Sequence, residues 1–293
     1  MVSVIIPTYN RGDLIIDTLK DLVAQKYSRF EIIIIDQSDK INKKVLNFIK
    51  KHKIISYYHI LEKGTSNAKN VGATKAQGNY YIFLDDDVLI DNKDFIQCHV
   101  DNYQDKLVGA VGGRVLMGES KSQISKIKEV GKFKYFGLKE ITNFYADFRS
   151  EIDHVYGCNQ SYRKDVFDRV GGFSKIYKGN AHLEEADLSF KVKKSGYKIY
   201  FDPKAYLVHL HYKSGGCRTK DIYDLRYWLI HNYTVFYLRH FPKFLFPLYF
   251  TKQLVWAIFS GLKRLDWKMF KHMINAMFKG IKYYIIISKR HDA

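Results

Sequence analysis

A chain of 293 residues, 46% hydrophobic and 27% charged, has an ordinary globular balance and enough apolar material for one large core or two modest ones. Its three cysteines, Cys98, Cys158 and Cys217, are odd in number and far apart, which excludes a disulfide framework or a CxxC zinc site and leaves buried or incidental thiols of a reducing compartment. Two quantities stand out: 16% aromatics, with 23 Tyr and 20 Phe, and a formal net charge of +18.

Val2–Thr8 reads as a strand. No basic n-region or cleavage site precedes it, so no signal peptide is expected and the catalytic portion is placed in the cytoplasm. Leu14–Ala24 has helical apolar spacing. Phe30–Asp36 is a β-branched run suited to a buried parallel strand. A helix over Lys43–Lys51, a strand over Ile54–Ile60, a helix over Asn67–Ala76 and a strand over Tyr80–Leu84 follow. This alternation predicts a parallel sheet with helices on both faces.

Ligands of such sheets bind at the carboxyl ends of the strands. There the sequence places Thr8-Tyr9-Asn10-Arg11, Asp36-Gln37-Ser38-Asp39 and Asp85-Asp86-Asp87. Adjacent carboxylates raise one another's pKa unless a cation sits among them. The aspartate triplet therefore reads either as an acidic turn or as a place for Mg²⁺ or Mn²⁺ held with a phosphate-bearing ligand.

Residues 105–215 read as α+β. Strands are expected at Val108–Val115, Val155–Gly157, Lys198–Phe201 and Ala205–Val208, and helices at Lys164–Val170 and Glu185–Ser195. From residue 218 onward, 14 Lys/Arg face 4 Asp/Glu, so ten of the eighteen net charges lie there and imply an anionic partner. Within the apolar stretch Phe241–Leu262, the longest charge-free run, Gln253–Leu262, is far short of the ~20 residues a spanning helix needs. Over Leu262–Ile287, Leu262, Leu265, Met269, Met273, Met277, Ile281 and Ile285 recur at helical spacing among lysines. A basic helix with an apolar stripe suits an anionic membrane surface. A helical hairpin packed on the domain, with a solvated basic face, is the competing reading.

Val4-Ile5-Ile6-Pro7-Thr8-Tyr9-Asn10-Arg11 resembles the opening of family 2 glycosyltransferases, which have the GT-A fold. Ile35-Asp36-Gln37-Ser38, Gly64–Gly72, Phe83–Asp87 and Glu184-Glu185-Ala186-Asp187-Leu188 agree with the family in order and approximate spacing, over roughly residues 2–215. The resemblance implies a nucleotide-sugar site formed by Pro7, Thr8, Tyr9, Arg11, Asp36, Ser38, Lys69, Asp85 and Asp86. The family usually has Arg where Lys69 stands. It implies Asp87 as direct metal ligand, with Asp85 nearer the ribose or sugar and able to share the ion, and a histidine from the His209/His211 segment, His209 fitting better. It places the catalytic base at Glu185 or Glu184, and Gly157, Asn159, Asp187 and His211 around donor sugar and acceptor. The bare residues also allow Asp36 as a helix cap and the Glu184–Asp187 segment as an ordinary acidic first turn.

The expectation is thus an α/β chain. A GT-A domain over residues 1–217, divided into a nucleotide half (1–104) and an acceptor half (105–217), precedes a basic helical, membrane-associating extension (218–293). The implied activity is inverting, Mg²⁺- or Mn²⁺-dependent transfer of one sugar from a UDP- or dTDP-linked donor to a hydroxyl of a lipid-linked or cell-surface glycan precursor. It is set at the cytoplasmic face of the cell membrane, with no nucleic acid partner. The Q-x-x-R-W motif of processive members is absent. Competing functions are a nucleotidyltransferase of similar fold and a non-catalytic membrane- or polyanion-binding protein.

Overall fold

The computed structural model describes residues 1–212, 215–216, 221–264 and 266–291; Cys217 and Leu265 lie outside them. The first half alternates strand and helix: β1 (Val2–Thr8), α1 (Ile15–Val23), β2 (Phe30–Asp36), α2 (Lys43–Ile49), β3 (Ile55–His59), α3 (Thr65–Lys75), β4 (Tyr80–Leu84), β5 (Val88–Leu89) and α4 (Phe95–Asp101). Then come β6 (Val108–Leu116), α5 (Lys121–Ile124), β7 (Lys132–Lys134), β8 (Lys139–Ile141), β9 (Ser150–Glu151), β10 (Asn159–Arg163), α6 (Lys164–Arg169), α7 (Glu184–Lys194) and β11 (Lys198–His209). Three helices close the chain: α8 (Ile222–His240), α9 (Phe246–Arg264) and α10 (Trp267–His291).

The main sheet runs β3-β2-β1-β4-β10-β6-β11-β5, with β9 added on β11. β3, β2, β1 and β4 are mutually parallel, and β10 enters antiparallel between β4 and β6. Helices cover both faces, as the continuous apolar strands demand. Ile33 and Ile35 face one core with Ile5, Phe83 and Phe167, while Ile32 and Ile34 face the other with Val4, Leu19 and Ile82. α3 lies so close on β1 that a Cβ at Gly72 would stand 2.3 Å from the Ile5 side chain.

Three local expectations change. Val155–Gly157 is not a strand; the strand is β10, two residues later, and its polar sequence Asn-Gln-Ser-Tyr hid it because Asn159, Gln160 and Ser161 are fully buried and hydrogen-bonded. Lys198–Phe201 and Ala205–Val208 are one strand, bulged between Asp202 and Tyr206 next to Pro203. The long C-terminal helix breaks ahead of Trp267, where Asp266 caps α10 by accepting from the Met269 N–H at 2.9 Å.

That break folds α9 and α10 onto α8. Met269, Met273 and Met277 are almost wholly buried against Ile230 and Ala257, so the middle of the apolar stripe faces protein rather than solvent. The faces left exposed carry Phe244, Leu248, Val255, Ile258 and Phe259 in and before α9, and Phe278, Ile285 and Ile286 in α10. Among the described residues no helix is long and apolar enough to cross a membrane. α8 also packs on the acceptor half, its Phe236 among Tyr177, Leu183 and Ala186.

Candidate active site

The ends of β1, β4 and β11 meet the N-termini of α3 and α7 at a cleft of about 520 Å³. Pro7, Thr8, Tyr9 and Arg11 line it from β1, Asp85 and Asp86 from β4, and His209 and His211 from β11 and the residues after it. Gly64, at φ +133°, makes the turn that opens α3 and brings Thr65 and Lys69 to the wall. A smaller cleft of about 200 Å³ shares Thr8 and is lined by Asp36, Ser38, Asn42 and Tyr57 at the end of β2. Asp36 does not cap α2, a task performed by Asn42. Its carboxylate instead accepts from the Ser38 N–H at 2.8 Å and the Tyr57 hydroxyl at 2.6 Å. Burial, with that bond, pushes the Tyr57 phenol above its ordinary value.

The cation among the aspartates is Arg11. Its Nε lies 3.0 Å from Asp86 Oδ1 and its Nη2 3.0 Å from Asp87 Oδ2, with all three side chains buried. Thr8 donates to Asp86 as well. Burial still lifts the Asp86 carboxyl to about 7, against the pull of Arg11. Arg11 therefore holds the triplet's geometry as well as lining the cleft.

Asp87, expected as the direct metal ligand, does not line the cleft. One oxygen meets His209 Nε2 at 3.0 Å; the other meets Arg11 and the Tyr212 N–H. It shares His209 Nε2 with Asp85, so both carboxylates face the same imidazole nitrogen. Asp85 is the open member, with a side chain one-third exposed and 3.6 Å from His209 Nε2. Asp85, His209 and Cys158 each bring one ligand-type atom within 4.8 Å of the others. A carboxylate oxygen suits Mg²⁺ or Mn²⁺, and an imidazole is a softer nitrogen donor beside it. Burial drives the Cys158 thiol well above its usual pKa, which keeps it protonated and a poor ligand. Asp85 and His209 are thus the residues that could hold a divalent ion here.

At the opposite wall the two glutamates separate. Glu184 is buried, 2.8 Å from Lys69 Nζ and bonded to the Ser66 hydroxyl. Burial alone would lower the Lys69 pKa, but Glu184 and Asp85 outweigh it and raise it. Glu185 lines the cleft beside Gly157, and among the described residues no other side chain hydrogen-bonds its carboxylate. Burial, reinforced by Glu184, lifts its pKa to about 8.

Two residues expected around sugar and acceptor lie elsewhere. Asn159 is fully buried beneath the cleft, its amide donating to the Arg114 and Ala205 carbonyls and its oxygen 3.0 Å from His99 Nε2. Asp187 is fully buried on the far side of α7. It accepts from the Tyr177 hydroxyl and meets His240 Nε2 at 2.6 Å and Arg239 Nε at 3.1 Å. Gly157 and His211 do line the cleft, and the His211 ring lies 3.9 Å from that of His209. Sequence reasoning missed Glu140, His154, Tyr156, His182 and Tyr233, all on the same cleft. Only the aromatic richness around Tyr233 gave a signal.

Residues 3–171 match the family model of glycosyl transferase family 2. The chain belongs to glycosyl transferase family 2. Among its relatives is the poly(ribitol-phosphate) beta-N-acetylglucosaminyltransferase TarP of Staphylococcus aureus, 27% identical over 215 residues, which span 71% of this chain and 62% of TarP. A poly-beta-1,6-N-acetyl-D-glucosamine synthase of the same species is 27% identical over 207 residues, 70% of this chain and 48% of that protein. The chain thus matches less than two thirds of the length of either relative. Among solved structures, the Pyrobaculum calidifontis mannosyltransferase PcManGT superposes with a TM-score of 0.61 at 17% identity, over 99% of this chain and 79% of that one. GalNAc-T7 superposes with a TM-score of 0.60 at 16% identity, over 80% and 50% respectively. These likenesses show the GT-A fold, with the closing helices as its helical extension.

Proposed function

We propose that this family 2 chain moves one sugar from a UDP- or dTDP-linked donor to a hydroxyl of a lipid-linked or cell-surface glycan precursor, with inversion at the anomeric carbon. The observation that carries the reading is Glu185: a cleft-facing carboxylate lifted to about 8, set across from Asp85 and His209. A base of that basicity can take a proton from an acceptor hydroxyl near neutral pH. As that oxygen bonds to the anomeric carbon, the sugar–phosphate bond breaks and the electron pair leaves with the nucleoside diphosphate. No protein nucleophile is needed.

The smaller cleft at Asp36, Ser38 and Tyr57 holds the base, and Thr8, Tyr9 and Arg11 lead from it to Asp85. A bound Mg²⁺ or Mn²⁺ at Asp85 and His209 would stabilise charge on the departing diphosphate. PcManGT with GDP-Man and Mn²⁺, and GalNAc-T7 with UDP, GalNAc and Mn²⁺, make a nucleotide sugar and a divalent ion reasonable partners here. TarP and the poly-beta-1,6-N-acetyl-D-glucosamine synthase point to a cell-surface glycan as acceptor. The exposed apolar face of α9 and the basic tail support a place at the cytoplasmic face of the membrane. Incubation with Mn²⁺ and a panel of nucleotide sugars should release nucleoside diphosphate from one of them. Release of pyrophosphate from a nucleoside triphosphate instead would assign the chain to nucleotidyl transfer.

A further inference from the structure

The end of the cleft away from the aspartates is built by parts of the chain that have no role in the donor reading. Glu140 comes from β8, His154 and Tyr156 from between β9 and β10, His182 from the turn before α7, and Tyr233 from α8. The Tyr233 hydroxyl donates to the Glu140 carboxylate, and its ring lies 5.4 Å from that of His182. His154 is only 3% exposed. Its Nε2 stands 3.6 Å from Glu140 Oε1, beyond hydrogen-bond reach. The Nε2 atoms of both His154 and His182 are buried without a hydrogen-bond partner.

An orphaned buried polar atom loses its hydration with nothing to compensate it. The fold accepts that cost twice at one place, and both rings border a cavity that a ligand can enter. His182 is also held between two non-glycine residues in the left-handed region, Ala181 at φ 56° and Leu183 at φ 74°. Each such residue is strained and is kept where surroundings over-determine it. Leu183 is at the same time the residue from which α7, and hence Glu185, begins.

Charge decides what class of ligand fits. Burial lowers the pKa of both imidazoles, so near neutral pH each offers one donor and one acceptor and no charge. Glu140 is an acceptor, and it is close enough to be among the charges that raise Glu185. Among the described residues lining the cleft, the only Lys and Arg are Arg11, bound to Asp86 and Asp87, and Lys69, bound to the buried Glu184. A phosphate placed here would face Glu140, and Lys252, the cation near enough to feel that carboxylate, is turned to the Leu138 carbonyl. A sugar ring would instead find donors and acceptors for its hydroxyls and aromatic faces, Tyr156 and Tyr233, for its C–H surface.

We infer that this end of the cleft is the acceptor subsite and that it takes an uncharged sugar unit, hydrogen-bonded by Glu140, His154 and His182, not an anionic polyol phosphate. The inference rests on the glycosyltransferase reading for its role, but the binding it requires can be measured alone. Saturation-transfer NMR on the full chain, with and without UDP and Mn²⁺, would compare methyl glucoside, methyl galactoside and methyl N-acetylglucosaminide with glycerol 3-phosphate and ribitol 5-phosphate. At least one uncharged glycoside should bind and the polyol phosphates should not. Glu140→Gln, which keeps the side chain's shape, and His182→Ala should each weaken glycoside binding about tenfold or more. Binding of the phosphates in preference to every glycoside, or no glycoside binding, or unchanged binding in both variants, would overturn the assignment. If UDP with Mn²⁺ leaves the wild-type melting temperature unmoved while glycosides bind, the donor reading fails and the subsite stands.

Discussion

Replacing Glu185 by glutamine should stabilise the folded chain while removing its turnover. Burial and Glu184 raise this carboxyl from its ordinary 4.5 to about 8 in the folded state. An acid raised on folding binds more protons folded than unfolded, so its effect on stability is nil below about pH 4.5 and grows unfavourable as pH climbs toward 8. At pH 7 the gap covers about 2.5 pH units at about 1.4 kcal/mol each, an upper bound on the order of 3 kcal/mol because the side chain keeps some exposure. Glutamine carries no such penalty. Urea unfolding of the two proteins should therefore coincide near pH 4.5 and separate as pH rises, with the variant the more stable. EDTA should be present, because a divalent ion in the cleft would favour the carboxylate. Turnover of the variant should fall by about 10²–10⁴, the contribution of a positioned general base. Parallel stability curves across that range would refute the burial argument. A Glu184→Gln variant that lost turnover without losing stability would move the base to Glu184.

Lys69→Met should cost about 3–5 kcal/mol in urea unfolding, because it leaves Glu184 buried and unpaired, and the double variant Lys69→Met/Glu184→Gln should recover most of the loss. Recovery of nothing would mean that Lys69 stabilises through other contacts, such as its approach to the Phe173 ring. For the membrane, flotation with anionic vesicles should carry the full chain upward, and Leu248→Asp/Phe259→Asp should reduce the floated fraction about tenfold, since both side chains lie on the exposed face of α9. Equal flotation of wild type and variant would remove α9 from the contact.

The strand ends were legible because a parallel sheet fixes where its polar termini go. Thr8, Asp36 and Asp85 needed only their place after an apolar run. What stayed hidden depends on partners far along the chain. Nothing near Lys69 announces Glu184, 115 residues later, so the buried ion pair between these two cleft-lining residues stayed hidden. Asp87 follows Asp85 by two positions and looks equivalent to it, yet only the fold shows that Arg11 and His209 occupy its oxygens. Asn159 and Asp187 carry polar groups that satisfy the interior, and a single sequence gives no sign of which way such a group turns. The methionine stripe was read correctly as an apolar face. Whether lipid or α8 covers it depends on the break at Asp266, a one-residue cap inside an otherwise continuous helical pattern.

α8 contributes Tyr233 to one wall of the cleft and, two turns on, Arg239 and His240 to the buried carboxylate of Asp187, on the helix that carries Glu185. The closing helices are therefore not a detachable handle. A fragment ending near residue 217 would strip Arg239 and His240 from the buried Asp187, leaving it only Lys191 at 3.9 Å and the Tyr177 hydroxyl, and would leave the cleft open on one side. For anyone building chimeras between relatives, the unit of exchange is not the segment after the sheet. Tyr233 has to travel with Glu140 and His182, and Arg239 and His240 with Asp187, or the graft will carry a new acceptor wall onto a catalytic helix that has lost its anchor.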